Sequence, residues 1–282
     1  MKHDEGEAAG LPDRPPSVAG EIFGNRLGIA EHYAHLLADT GVSHGLIGPR
    51  ETPRLWDRHL LNCGVVESVL PHRTRLIDVG SGAGLPGLVL AIARPDLDVV
   101  LVEPMLRRTK WLEAAVEELH LTNVQVLRGK AQDFWGKLRA PVVTARAVAR
   151  LGELAGWCLP LLDGEGRLLA LKGATAEREL AEEEQDIRRA GAVSGRLLLV
   201  GEEILPEPTR VVEIRIGAHP VRPTQAATLR NAKGSSTRSG RATQAADAPG
   251  TSPSRSRRRT GRSGPDRSPS RRGSPKSSGD GR

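Results

Sequence analysis

An apolar run followed by glycines at alternating positions gives this chain its best-suited ligand-holding segment, Ile77-Asp78-Val79-Gly80-Ser81-Gly82-Ala83-Gly84-Leu85-Pro86-Gly87. Glycine serves there because a strand-to-helix turn visits positive φ, and because a bare backbone lets a ligand approach the amides at the helix start. Glu103 follows about twenty residues on, at the end of a second apolar run, where a carboxylate can accept bonds from two ribose hydroxyls. The pattern predicts a cradle for an adenosyl-class cofactor. Gly82-x-Gly84-x-x-Gly87 also satisfies the dinucleotide fingerprint, so on these residues alone a nicotinamide or flavin enzyme stays open.

Basic residues form the second chemical group. Arg146 closes the apolar run Val142 to Ala145, at the carboxyl edge where open α/β sheets place their ligands. It is expected to meet a cofactor carboxylate or the target nucleotide. Arg107, Arg108 and Lys110 open the helix after Glu103, where cations oppose the helix dipole and call for a compensating partner such as phosphate.

The elements that must position these residues alternate. Strands are expected over 75–79, 98–103, 123–128, 141–145 and 166–171, with helices over 86–93, 105–119 and 151–161 between them, the signature of a mostly parallel α/β sheet. A charged helix over 177–190 and the runs 195–200 and 210–216 follow. The last two are too close in sequence for a parallel crossover, so an antiparallel C-terminal edge is expected. Six parallel-type strands and a terminal hairpin are expected, with no second half-sheet, which favours a methyltransferase over a dinucleotide enzyme. Upstream, Ile22, Phe23, Leu27, Ala30, Tyr33 and Leu37 recur at helical spacing, predicting one amphipathic helix over 19–39 with Gly41 as its stop, and a second helix over 54–69.

Charge divides the chain. Residues 219–282 carry fifteen Lys and Arg against three acids, a net +12, so residues 1–218 hold −5 of the chain's +7. That tail has no aromatic residue and few large aliphatics, and is expected to be disordered, a flexible polycation drawn to nucleic-acid phosphate by counterion release. The expected division is a disordered N-terminus over 1–18, a helical extension over 19–72, a cofactor-binding core over 73–218 and the Arg/Ser-rich tail over 219–282. No secretory signal, membrane anchor or run of eighteen apolar residues is readable. Two distant cysteines, Cys63 and Cys158, argue against a disulfide scaffold or a zinc site and fit a reducing cytoplasm.

Four motifs in order, Arg58-His59-Leu60-Leu61-Asn62-Cys63, the glycine run, Ala145-Arg146-Ala147 and Leu171-Lys172-Gly173, make residues 20 to 216 resemble the RsmG (GidB) family of 16S rRNA methyltransferases. The resemblance implies a class I, Rossmann-like methyltransferase using S-adenosyl-L-methionine to methylate N7 of one guanine, position 527 in the usual rRNA numbering, within 16S rRNA or the small ribosomal subunit. A cytoplasmic monomer is expected, with no metal. Alternatives are a noncatalytic RNA-associated protein that keeps the fold, or methyl transfer to a small molecule or protein.

Carried over residue by residue, the resemblance assigns Gly80, Gly82, Gly84 and Leu85 to the methionine and ribose part of the cofactor. Glu103 goes to the ribose, Ala131 and Gln132 to the adenine, and Arg146 to the cofactor or the target. Asp78 is expected to face the methionine ammonium through a water. Arg58, His59, Arg107, Arg108 and Lys172 are the candidate RNA contacts, with His59 and Arg146 as possible aligning groups and no general base. The upstream motif of the family commonly reads Arg-His-x-x-Asp-Ser, whereas this chain has Asn62 and Cys63.

Overall fold

The β-branched and leucine-rich runs build a seven-stranded sheet in a computed structural model that describes residues 14–222. Expectations for residues 1–13 and 223–282 lie outside the described residues. The N-terminal segment carries α1 (Ala19–Phe23), α2 (Leu27–Leu36) and α3 (Asn62–Gly64). The sheet region then runs β1 (Arg75–Val79), α4 (Gly87–Ala93), β2 (Asp98–Glu103), α5 (Leu106–Glu118), β3 (Val124–Arg128), β4 (Ala140–Arg146) and α6 (Leu151–Cys158). It closes with β5 (Leu162–Lys172), α7 (Ala176–Glu182), α8 (Glu184–Arg189), β6 (Ala192–Val200) and β7 (Thr209–Ile216).

The strand order is β3-β2-β1-β4-β5-β7-β6. β1 to β5 are mutually parallel, and β7 lies antiparallel between β5 and β6. β6, reversed relative to β7, therefore runs with β1 to β5, so six strands share one direction, β7 alone opposes them, and the antiparallel edge is as expected. Chain direction across the sheet reverses between β1 and β4, and ligands of open α/β sheets bind at the carboxyl ends beside such a switch point.

The central strands β1, β2, β4 and β7 are buried on both faces over most of their length, which is why they read as continuous apolar runs rather than alternating ones. Leu76, Val99 and Leu101 join one core with α4, α5 and the N-terminal helices. Ile77, Val79, Val100 and Val102 join the opposite core with α6 and Ile187 of α8. The N-terminal segment thus shares an apolar core with the sheet. At the other end Val221 is buried, and a Cβ on Gly191 would stand 2.7 Å from it, so the described fold runs past 218.

Three expected helices are broken. The helix over 19–39 is interrupted by a 3-10 turn at Gly24–Arg26 and ends in a π-helical turn, Leu37–Gly41. The helix over 54–69 is a π-helical turn, Leu55–Leu61, then α3 and a 3-10 turn, Val65–Val69. Its buried pairs Leu55-Trp56 and Leu60-Leu61 lie five residues apart, and a wide i→i+5 turn brings such pairs to one face. The helix over 177–190 breaks at Glu183 into α7 and α8, because that carboxylate turns inward: Oε2 accepts from Gly152 N at 2.6 Å, and Oε1 pairs with Arg150. Glu179 accepts from Leu151 N at 2.8 Å, so two acids from this segment satisfy free amides at the α6 N-terminus.

Candidate functional site

The glycine turn is held from three directions. Gly80 N donates to Val102 O at 2.8 Å. Asp78, fully buried, accepts from Thr144 Oγ1 at 3.0 Å and from Gly87 N at 3.1 Å. From the N-terminal segment, the buried Tyr33 hydroxyl donates to Ala83 O at 2.6 Å. Gly82 and Gly84 have φ of +58° and +92°, a backbone that L side chains rarely adopt.

Asp78 does not line the cavity that lies above the turn. Its carboxylate sits beneath the turn with both oxygens bonded to protein, and burial raises its pKa from 3.8 to about 6 despite those bonds. It fixes the loop from below. A Cβ on Gly87 would lie 2.8 Å from Asp78 Oδ2 and 2.3 Å from Leu101, so this glycine is needed for close helix–strand packing.

Above the turn lies an open cavity of about 680 Å³, within the usual size of cofactor sites. It is lined by Gly80 to Ala83 and Leu85 after β1, Glu103 to Met105 and Arg108 after β2, Gly129 to Gln132 after β3, and Arg146 to Val148 after β4. Leu46, Ile47 and His59 from the N-terminal segment, with Glu153 and Trp157 of α6, complete it. Eight expected cofactor residues reach this region: Gly80, Gly82, Leu85, Glu103, Ala131, Gln132 and Arg146 line it, while Gly84 shapes the turn. A Cβ on Gly84 would meet Leu88 Cδ1 at 2.5 Å, inside the protein.

Glu103 is 2% exposed. Its Oε2 accepts from Gly82 N at 3.0 Å and its Oε1 from Met105 N at 2.9 Å. Each oxygen keeps a second lone pair, so the carboxylate is fixed and still able to accept. Arg108 lines the cavity beside it, with Nη1 4.0 Å from Oε2, and its Nε is buried without a hydrogen-bond partner among the described residues. A fixed acceptor, an unpartnered donor and a bare backbone turn fit a nucleoside-type cofactor.

Opposite Glu103 across β1, Arg146 makes three bonds to the N-terminal segment. Nη1 donates to Cys63 Sγ at 3.1 Å, and Nη2 donates to Arg58 O at 3.2 Å and to His59 Nδ1 at 2.6 Å. His59 Nε2 lies 3.0 Å from Glu51 Oε2. Burial first, then the Arg146 charge, lower the His59 pKa from 6.5 to about 4, against the opposing pull of Glu51. The histidine is therefore neutral near pH 7.

The expected RNA contacts separate. Arg58 is half exposed, but its guanidinium turns to Glu51 at 3.2 Å and does not line the cavity. Arg107 is exposed and borders a separate groove of about 290 Å³ with Thr40, His44 and Lys110, away from its neighbour Arg108, since consecutive helix residues do not share a face. Lys172 is not free for phosphate. Its Nζ donates to Ala149 O at 2.7 Å and to Glu179 Oε1 at 2.9 Å, because β5 ends beneath the start of α7.

Sequence reasoning missed Glu51, Met105 and the contribution of Tyr33 to the glycine turn. Tyr33 is legible only as an apolar helix position, and Glu51 lies in a turn with no motif around it. Cys63, a departure from the motif common in the resembled family, is one of the three acceptors of Arg146. Among the described residues no helix is long and apolar enough to cross a membrane, and no group of His, Cys, Asp and Glu is placed to hold a metal.

A family model described as rRNA small subunit methyltransferase G matches residues 26–204, a span that contains the whole cavity lining. The chain is 54% identical over 202 residues to the ribosomal RNA small subunit methyltransferase G of Thermobifida fusca, covering 72% of this chain and 85% of that one. It is 53% identical over 197 residues to the protein of that name from Pseudarthrobacter chlorophenolicus, covering 70% and 91%. Against the Streptomyces avermitilis protein of that name identity is 51% over 215 residues, covering 76% and 90%. The family match thus runs from α2 through the glycine turn to β6, and the chain belongs to the rRNA small subunit methyltransferase G family.

Proposed function

We propose that the protein methylates N7 of a single guanine in 16S rRNA, free or within the small ribosomal subunit, with S-adenosyl-L-methionine bound in the cavity above the glycine turn. The observation that carries this reading is that every residue lining the cavity falls inside the family match. Because one chain supplies the whole lining, the reading includes a monomer as the active form. The cytoplasm is the compartment where such an RNA is met.

Bound there, S-adenosylmethionine supplies a methyl group on a sulfonium. The residues supply position. Glu103 accepts from the ribose hydroxyls, and the segment Ala131-Gln132 edges the adenine. Two strand spacings of about 4.8 Å each separate the tips of β2 and β4, with the tip of β1 between them, so Arg146 lies at the methionine end when Glu103 holds the ribose. The direct partners of Arg146 are a thiol, a carbonyl and a neutral imidazole, and no carboxylate of the described residues lies within 4.0 Å of it. A half-buried cation without a counter-charge favours an anion, and the methionine carboxylate is the anion at that end.

Guanine N7 has an in-plane lone pair and no proton, so transfer to it needs no general base. The neutral His59 is consistent with that: its proton is committed to Glu51 and its lone pair to Arg146. The chain's task is alignment, which in favourable models contributes about 7 to 11 kcal/mol. The exposed Arg107 and Lys110, with the Arg108 guanidinium at the cavity wall, are the groups for RNA phosphate, and the basic segment 219–282 adds attraction without choosing the base.

The test is incubation of the purified protein with methyl-labelled S-adenosylmethionine and small subunits from cells lacking the modification, followed by nuclease digestion and mass spectrometry. Label in one N7-methylguanosine of 16S rRNA is expected. Cofactor binding with no label in rRNA would overturn the substrate, and absence of cofactor binding would overturn the cavity assignment.

A further inference from the structure

Glu51 lies outside the cavity, in the 3-10 turn Pro49–Arg54, yet it ends a continuous chain of polar contacts that reaches the cavity wall. Glu51 Oε2 is 3.0 Å from His59 Nε2, and His59 Nδ1 is 2.6 Å from Arg146 Nη2. A second branch runs from Glu51 Oε1 to Arg58 Nη1 at 3.2 Å, and from the Arg58 carbonyl back to Arg146 Nη2 at 3.2 Å. The donor and acceptor roles are fully determined. A guanidinium only donates, so His59 Nδ1 must accept; a neutral imidazole has one N–H, which must then be on Nε2; and a carboxylate only accepts, so Glu51 is the group that Nε2–H requires.

We propose that Glu51 is a positioning residue: by holding His59 in the Nε2–H tautomer it keeps a lone pair at Nδ1, and that lone pair fixes the Arg146 guanidinium at the methionine end of the cavity. The inference rests on the reading of Arg146 as the partner of the cofactor carboxylate. Without Glu51 the Nδ1–H tautomer becomes accessible, and it would set a donor against the Nη2 donor of Arg146. With both Nη2 protons and one Nη1 proton used in this network, Arg146 keeps Nε–H and one Nη1–H. These are not adjacent on the guanidinium, so it cannot grip a carboxylate as a fork. It offers single, directed bonds whose placement depends on the residues behind it. The charged groups that face His59 are Glu51, Arg58 and Arg146, and of these only Glu51 can accept from Nε2–H.

The test uses the full chain and two ligands, S-adenosylhomocysteine, which carries the amino-acid carboxylate, and 5′-methylthioadenosine, which lacks it. Imidazole nitrogen NMR of the wild-type protein at pH 7 should show His59 protonated at Nε2 and bare at Nδ1. Glu51→Ala should populate the other tautomer and weaken S-adenosylhomocysteine about three- to tenfold, the loss of one ordinary hydrogen bond, with 5′-methylthioadenosine unaffected. Glu51→Gln, whose amide oxygen still accepts from Nε2–H, should restore both readouts. In a His59→Asn background, where Oδ1 replaces the Nδ1 acceptor and no tautomer exists, Glu51→Ala should add no further loss. Equal weakening of both ligands, an unchanged tautomer in Glu51→Ala, or a Glu51 effect that persists beside Asn at 59 would each overturn the inference. Failure of the parent reading is distinguishable, because Arg146→Ala would then leave S-adenosylhomocysteine binding intact.

Discussion

Arg146 Nη2 donates to His59 Nδ1 across 2.6 Å, which ties the carboxyl end of β4 to a wide helical turn 87 residues earlier in the chain and requires His59 to stay unprotonated at that nitrogen. Stability therefore depends on pH through this pair. The folded-state pKa of His59, about 4, lies below the ordinary 6.5, so the unfolded chain takes up the proton first as pH falls, and stability is lost between about 6.5 and 4. Asp78 acts oppositely over nearly the same range. Its folded-state pKa of about 6 lies above 3.8, so stability is lost as pH rises through that window and regained on acidification. Each leg is worth on the order of 3 kcal/mol, and they offset. His59→Asn removes one leg: between pH 7 and pH 4 its stability should shift in its favour relative to wild type by that order, read from urea midpoints. Parallel curves for the two proteins would show that His59 does not titrate in this way.

Arg146→Ala should weaken S-adenosylhomocysteine by about ten- to a hundredfold, the value of a charge-assisted hydrogen bond, and leave 5′-methylthioadenosine within about twofold. Calorimetric titration of both ligands checks it. Comparable losses for both would move Arg146 away from the carboxylate.

Glu103→Gln tests the floor of the ribose site. Each carboxylate oxygen now accepts one backbone amide, from Gly82 and Met105; the amide group of glutamine would set its own donor against one of them. Loss of cofactor binding should come with about 1–3 kcal/mol of destabilisation, measured by denaturant titration. Full stability with lost binding would mean that the two backbone bonds carry no weight.

Two of the three positive-φ glycines of the turn, Gly82 and Gly84, should respond differently to alanine. At Gly82 the nearest atom to an added Cβ is Gly80 O at 3.8 Å, so Gly82→Ala costs only the left-handed backbone, about 1–2 kcal/mol, and places a methyl beside the cofactor. At Gly84 the added Cβ meets Leu88 Cδ1 and Cγ at 2.5 and 2.6 Å and Cβ at 3.0 Å. Gly84→Ala should be the more destabilised protein, and Gly82→Ala the folded one with weakened cofactor binding. The reverse order in thermal melts would contradict the geometry of the turn.

Lys172→Ala should lower stability by about 1–3 kcal/mol, because it leaves the half-buried Glu179 carboxylate and the Ala149 carbonyl short of a partner. The salt dependence of rRNA binding should not change. A reduced salt slope would return Lys172 to the RNA-contacting group.

The glycine turn and Glu103 were legible because they belong to one strand–turn–helix–strand unit, in which backbone requirements and spacing are local. The alternation of elements was legible for the same reason: strands covered on both faces leave apolar runs, and the short connection to the last strand leaves only an antiparallel partner. Charge had no such direction. Lys172 and Arg58 look as available as Arg108 in the sequence, yet the fold buries the first against Glu179, turns the second onto Glu51 and leaves only the third at the cavity wall. Likewise the segment 177–190 reads as one charged helix until Glu183 is seen capping α6. Periodicity states which side of an element faces the core, but a hydrogen bond requires two groups to converge within about 3 Å. For Glu51, His59, Cys63 and Arg146 that convergence is set by the N-terminal helices closing over the end of the sheet, which the tertiary structure alone decides.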